Sequence, residues 1–165
     1  MAGIEKDLMD AQEAMANGDF EAAVSKYTKV LKADPKCAEA YFGKAEASVG
    51  VPKMTPEEVM DLYKKAAEFD SKNPLYLSSY AAYLTEIGRF NEAEAAYNKA
   101  AEVDPDNARY YWSEFGVEYL QRAPVVMEKF LDDKTKEMIQ KKGLKYLLKA
   151  AGLEEEDAKR LLSTP

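Results

Sequence analysis

The sequence predicts an all-α fold of repeated helical hairpins, and three observations carry that expectation. First, a block of residues returns: Asn17, Gly18, Asp19, Phe20, Glu21, Ala22 and Ala23 reappear as Ile87, Gly88, Arg89, Phe90, Asn91, Glu92 and Ala93, with the glycine, the phenylalanine and the last alanine each displaced by 70. Tyr27 and Tyr97, and Pro35 and Pro105, share that displacement. Second, a copy lies between them. Val59, Tyr63 and Ala66 hold the equivalent places, so the tyrosine spacing divides into 36 and 34. Third, the segments before these blocks repeat in step, with Tyr41, Leu77 and Tyr111 spaced by 36 and 34 and the small residues Ala11, Ala45 and Ala81 following in register. Periods of this length mark arrays of stacked units, and no β-hairpin signal competes.

Taken in order, the pattern predicts helices over 4–16, 20–33, 38–49, 56–69, 74–86, 90–103 and 107–121. Gly18 and Gly88 follow first helices, where a left-handed C-cap suits glycine. Pro35, Pro74 and Pro105 punctuate the links between units. Thr55-Pro56-Glu57-Glu58 reads as a capping box with proline at the first helical position, and Asn73-Pro74 offers a cap with the same preference. Two extra residues lie inside the second unit, near 50–55. Alanine and glycine recur where the helices of one unit cross, because a larger side chain would push the backbones apart. Tyr110, Tyr111 and Trp112 open a fourth unit, which is degenerate because Phe115 stands where a small residue is expected. Beyond Pro124, apolar residues keep helical spacing over 124–142, 144–151 (Leu144, Leu147, Leu148, Ala151) and 154–162 (Ala158, Leu161, Leu162), with Gly143 and Gly152 read as breaks. This tail is expected to cap the last unit.

Composition narrows the function. The 165 residues hold 23 Lys or Arg against 30 Asp or Glu, a net charge of −7, and the 47% apolar content with 11 Tyr and 6 Phe is enough for a core. Histidine is absent and Cys37 is the single cysteine. Ser-His-Asp and Cys-His catalysis, His- or Cys-based zinc sites and an internal disulfide are therefore excluded. No nucleotide-binding glycine loop and no calcium loop occurs, Asp104 and Asp106 lacking the glycine and terminal glutamate of the latter. Cys37 reads as a packing residue, and Glu154, Glu155, Glu156 and Asp157 as carboxylates at a helix start. The expectation is a chain without catalytic residues, metal or cofactor. With no leader and no apolar run of membrane length, it reads as cytoplasmic.

The units resemble the tetratricopeptide (TPR) family, whose 34-residue helix-turn-helix carries a small residue, Gly-x-aromatic, Ala, aromatic and Pro at fixed offsets. The first unit supplies Ala11, Gly18, Phe20, Ala23, Tyr27 and Pro35, and the third Ala81, Gly88, Phe90, Ala93, Tyr97 and Pro105. The second is weaker, with Val59 for the alanine and Ser71 for the proline. The resemblance implies one domain over 1–165: a right-handed TPR superhelix (α-solenoid) of three repeats (about 4–36, 37–72 and 73–106), a degenerate repeat at 107–142 and capping helices at 143–165.

In such a fold the first helices line a concave face that holds a partner's peptide or helix. The family's groove positions fall on Glu5, Leu8, Gln12 and Met15, on Glu39, Phe42, Glu46 and Val49, on Leu75, Ser78, Ser79 and Ala82, and on Arg109, Trp112, Ser113 and Tyr119. Of these, Leu8, Gln12, Met15, Phe42, Glu46, Ser78, Ala82, Trp112 and Tyr119 are the candidate partner-binding residues. Phe42 and Trp112 have a second reading as packing residues. The carboxylate clamp of chaperone-binding relatives is not kept, since its lysine, two asparagines, lysine and arginine fall on Leu8, Gln12, Gly43, Leu75 and Ser79. A buried carboxylate needs charged donors. The implied function is an adaptor or scaffold binding a protein or peptide partner. Two alternatives remain, self-association and a groove regulated by the chain's own tail. Residues 1–106 hold 12 basic and 20 acidic residues, whereas Lys134 to Lys149 hold six lysines and one glutamate. That basic stretch lacks arginine and has little aromatic interleaving, so neither nucleic acid nor membrane is expected as a partner.

Overall fold

The computed structural model describes residues 2–49, 51 and 53–163. Within them run nine α-helices: α1 (Ala2–Ala16), α2 (Phe20–Ala33), α3 (Ala38–Val49), α4 (Pro56–Phe69), α5 (Pro74–Glu86), α6 (Phe90–Val103), α7 (Ala108–Val126), α8 (Asp133–Ala151) and α9 (Glu155–Ser163). Single 3-10 turns occupy Pro105–Asn107 and Glu128–Phe130, and no strand occurs among the described residues. The fold is all-α, as expected, and α1 to α6 lie within two residues of their expected ends.

Local chemistry sets those ends. Gly18 (φ 74°) and Gly88 (φ 80°) sit in the left-handed region that only glycine enters without strain. There the Gly18 N–H reaches the Met15 carbonyl (3.0 Å) and the Asp19 N–H reaches Ala14 (2.9 Å), while Gly88 and Arg89 reach Thr85 (3.1 Å) and Leu84 (2.8 Å). These paired bonds satisfy carbonyls that a helix end leaves open. The Thr55 hydroxyl accepts the Glu58 N–H (3.2 Å) and the Glu58 carboxylate accepts the Thr55 N–H (2.8 Å), completing the expected capping box of α4. Gly50 and Pro52, in the link that holds the extra residues, lie outside the described residues.

The links between units show a signal that the glycine and proline pattern misses. Asp34, Asp70 and Asp104 end α2, α4 and α6, and each carbonyl accepts the N–H three residues on, from Cys37, Asn73 and Asn107. Their side chains close the turn as well: Asp34 accepts the Lys36 N–H (3.0 Å), and Asp104 accepts the Asn107 amide (2.9 Å) and the Tyr111 hydroxyl (2.8 Å). Because aspartate makes these bonds, Ser71 can replace proline after Asp70 without loss of the turn.

Two compact units divide the chain, residues 1–76 and residues 77–165. The core of the first joins Ala11, Ala14, Ala23, Tyr27, Val30, Ala40 and Ala47 from α1, α2 and α3, with Leu8, Met15, Leu31 and Cys37 packed around it. Cys37 is thus a packing residue. In the second unit Tyr97 and Phe115 are fully buried, with ring centroids 5.8 Å apart, and Phe115 also meets Tyr119 (5.5 Å) and Tyr146 (4.7 Å).

The tail departs from expectation. α7 continues five residues beyond 121, through Pro124, whose missing N–H falls in the last turn and removes only one ladder bond. α8 runs unbroken through Gly143, so the expected boundary between a degenerate repeat and capping helices falls inside one helix. Packing explains it. A Cβ on Gly143 would collide with the Leu120 side chain, and one on Gly116 would lie 3.0 Å from Leu147 Cδ2 and 3.2 Å from the Gly143 carbonyl oxygen. Phe115 takes the expected small position, and the close approach moves one residue on, to Gly116 and Gly143. α7 and α8 form a fourth hairpin. Gly152 (φ 72°) does end α8 as expected, through bonds from Gly152 to Lys149 (3.1 Å) and Leu153 to Leu148 (2.9 Å). The side chains of Ala158, Leu161 and Leu162 lie outside the described residues.

Candidate functional site

In the first unit the candidate residues come from α1 and α3, which lie side by side. The Gln12 amide donates to the Glu39 carboxylate at 2.6 Å, bridging the two helices at the surface. Leu8 and Met15 are half-buried against the core, so they floor this face rather than project from it. Phe42 is half-buried, its ring 4.9 Å from Tyr76 and 6.2 Å edge-on to Tyr63. Its second reading, as a packing residue, describes its surroundings. Glu46 is exposed and accepts the Tyr63 hydroxyl at 2.6 Å. Val49 at the end of α3 is 57% exposed. The open part of the face is therefore Glu5, Gln12, Glu39, Glu46 and Val49: carboxylates and an amide beside one apolar side chain. Gly43 is buried, and any Cβ there would overlap the Tyr27 ring. An asparagine has no room at this position.

In the second unit Ser78 and Ala82 are half-buried on α5. Trp112 and Tyr119 meet the chain's own α8. The Trp112 Nε1–H donates to Asn98 Oδ1 at 3.2 Å, and the Lys149 ammonium lies 4.0 Å above the indole ring. Tyr119 is 4% exposed, 5.1 Å from Phe90, with the Lys142 ammonium 5.3 Å from its ring. Tyr119 is thus packed inside the unit, contrary to a groove-lining place, and Trp112 is half-covered.

A polar network ties α8 down. The Asn98 amide donates to the Tyr146 hydroxyl (2.9 Å), which donates to Glu94 Oε1 (2.7 Å), while Lys142 pairs with Glu94 Oε2 at 2.5 Å. Burial pushes the Glu94 carboxyl up, but hydrogen bonds from Lys142 and Tyr146 and the charges of Lys142 and Lys145 outweigh it and hold the group below the usual glutamate range. The Tyr146 hydroxyl is pushed up to about 12, first by burial and then by the Glu94 carboxylate. Burial and neighbouring Lys145 lower the Lys149 ammonium. Sequence spacing gave no sign of this network, because its members lie about 50 residues apart in the chain.

Among the described residues no helix is long and apolar enough to cross a membrane. Residues 8–74 match the family model described as tetratricopeptide repeat. That segment carries tetratricopeptide repeats. Among curated relatives, this TPR chain is 33% identical over 105 residues to small glutamine-rich tetratricopeptide repeat-containing protein 2 of Saccharomyces cerevisiae, covering 61% of the chain and 28% of the relative. It is also 33% identical over 92 residues to the type IV pilus assembly protein PilF of Pseudomonas aeruginosa, covering 56% and 34%. The TPR chain thus spans about a third of the length of these relatives. In fold it is similar to MamA from Desulfovibrio magneticus, with a TM-score of 0.68 at 14% identity over 98% of this chain and 78% of that one. TPR folds of this kind are protein–protein interaction scaffolds.

Proposed function

We propose that this TPR chain is an adaptor without catalytic action, which holds a peptide or helix of a partner protein on the α1/α3 face of its first unit. The observation that carries the reading is the make-up of that face. Glu5, Glu39 and Glu46 are exposed around Gln12 and Val49, while Leu8, Met15 and Phe42 form a packed floor beneath them. Such a surface suits an amphipathic segment bearing basic side chains, because exposed carboxylates steer and orient a cation without the cost of burying it. The missing clamp donors, and the lack of room at Gly43, speak against a C-terminal carboxylate as the ligand.

The reading in which the tail is a detachable lid is less well supported. Releasing α8 would uncover Phe115, which is 0% exposed, and break the pairing of Gly116 with Gly143.

The reading is tested by affinity capture from the source lysate, comparing wild type with a Glu39→Lys, Glu46→Lys variant. Both side chains are exposed, so the variant should keep its helical circular dichroism. A partner held by wild type and lost by the folded variant supports the α1/α3 face. Retention of every partner by the variant refutes it, and recovery of the chain's own copies alone points to self-association.

A further inference from the structure

α8 presents two different sides. Its buried side, Ile139, Gly143 and Tyr146, packs into the second unit. The opposite side, by helical spacing, carries Lys134, Lys141 and Lys145 interleaved with Met138, Leu144 and Leu148, and lines an open cleft that continues to Leu153, Glu154 and Glu155 at the turn into α9. We propose that this cleft docks an acidic amphipathic helix of a partner protein.

Two features set it apart from a solvated basic face. One is its apolar floor, for Met138 and Leu144 are 50% and 51% exposed, uncovered by the described residues. The other is charge not held in a close ion pair. Lys136, Lys141 and Lys142 pair with Asp133, Glu137 and Glu94, and Lys149 is spent on Trp112. Lys134 and Lys145 make no ion pair among the described residues. They stand 11 residues apart, about 16 Å or three turns along the helix. A partner helix of three to four turns laid along α8 would put apolar residues at i, i+3, i+4 and i+7 over Met138, Leu144 and Leu148, with Glu or Asp beside Lys134 and Lys145. Glu154 and Glu155 at the far end favour a partner whose one terminus is basic, which fixes its direction. The same carboxylates, with Glu94 and Glu137, repel the continuous phosphates of a nucleic acid or an anionic bilayer, and among the described residues no arginine lines the cleft to grip them.

The experiment titrates the full chain against dye-labelled 18-residue helical peptides that share a Leu/Phe face and carry Glu, Gln or Lys elsewhere, read by fluorescence anisotropy. Saturable binding of the Glu peptides, weaker binding of the Gln peptides and none of the Lys peptides is expected. Lys134→Glu with Lys145→Glu, or Met138→Gln with Leu144→Gln, should weaken binding at least tenfold, with amide shifts centred on residues 134–155. Failure of every Glu peptide to bind, equal binding of Lys peptides, or undiminished binding by either variant overturns the proposal. So does displacement by phosphatidylserine vesicles or oligouridine at lower concentration than unlabelled Glu peptide, in favour of those ligands. Should charge reversal unfold the chain, Lys134→Gln with Lys145→Gln makes the same comparison, and undiminished binding by it overturns the proposal equally.

Discussion

Gly43 offers a test in which two effects of one methyl group oppose each other. In an exposed helix interior, glycine to alanine stabilises by about 0.5–1 kcal/mol, because glycine loses more backbone freedom on folding. At Gly43 the added Cβ would fall on Cζ, Cε1 and the hydroxyl of Tyr27, a ring that is 4% exposed and part of the first unit's core. A buried ring cannot swing aside as a flexible chain end does, so the overpacking penalty of about 1–3 kcal/mol applies. Gly43→Ala should therefore cost a net ~1–2 kcal/mol. Removing the obstacle should reverse the sign: in a Tyr27→Ala background, itself about 3–5 kcal/mol less stable, Gly43→Ala should be neutral or stabilising by up to about 1 kcal/mol. Gly3→Ala on α1, where nothing lies within 4 Å of the new methyl, provides the uncrowded control. Urea denaturation followed by far-UV circular dichroism measures wild type and the four variants, provided each melts in a single transition. Stabilisation by Gly43→Ala in the wild-type background would refute the close packing of α2 on α3.

Other substitutions probe other links. Phe115→Ala should cost about 3–5 kcal/mol, since its ring is fully buried among Tyr97, Tyr119 and Tyr146, and an unshifted thermal melt would dismiss the fourth hairpin. Gln12→Ala should leave stability within about 0.5 kcal/mol, as its bond to Glu39 is exposed. Gly88→Ala should be worse than Gly18→Ala: both force a left-handed φ at about 1–2 kcal/mol, but only the first also brings a methyl to 2.8 Å from Val126. Two glutamates should show opposite pH dependence. The Glu94 carboxyl is held low, so it stabilises the fold at neutral pH and loses that effect as pH falls through its folded value; Glu94→Gln should lower Tm at pH 7, and the gap should close on acidification. Burial, then the Glu118 charge, pushes the Glu114 carboxyl up, and its Oε2 has no hydrogen-bond partner among the described residues, so its ionised form opposes folding. Glu114→Gln should raise Tm at pH 7, with the gain vanishing as pH falls below the ordinary glutamate range.

Most of the helical frame was legible because hairpin units repeat the same small and aromatic residues. Ala11, Tyr27, Tyr63, Ala81 and Tyr97 are all buried as their spacing implies. The fourth hairpin was harder to see because its chemistry moved. Phe115 fills the position that a small residue holds elsewhere, and a lone Gly143 reads as a helix terminator unless its neighbour Leu120 is known. Helix propensity and tertiary packing assign that glycine opposite meanings. The recurrent Asp34, Asp70 and Asp104 were visible at spacings of 36 and 34, yet their part in the turns depends on backbone bonds that spacing does not reveal. The candidate site divides in the same way. Periodicity placed Phe42, Trp112 and Tyr119 on first helices, but whether an aromatic ring is open or covered depends on residues remote in sequence, such as Tyr76 for Phe42 and Lys149 for Trp112. Gln12, Glu39 and Glu46 are the better probes because their side chains are exposed.

The adaptor reading is tested most directly by photo-crosslinking in the source cells, with a benzophenone amino acid placed at Gln12, between α1 and α3, or at the exposed Lys32 on α2 as a control. The account predicts a discrete heterologous adduct from position 12 that disappears with Glu39→Lys and Glu46→Lys and is absent from position 32. Equal adducts from both positions, or adducts formed only with further copies of the chain, would contradict it.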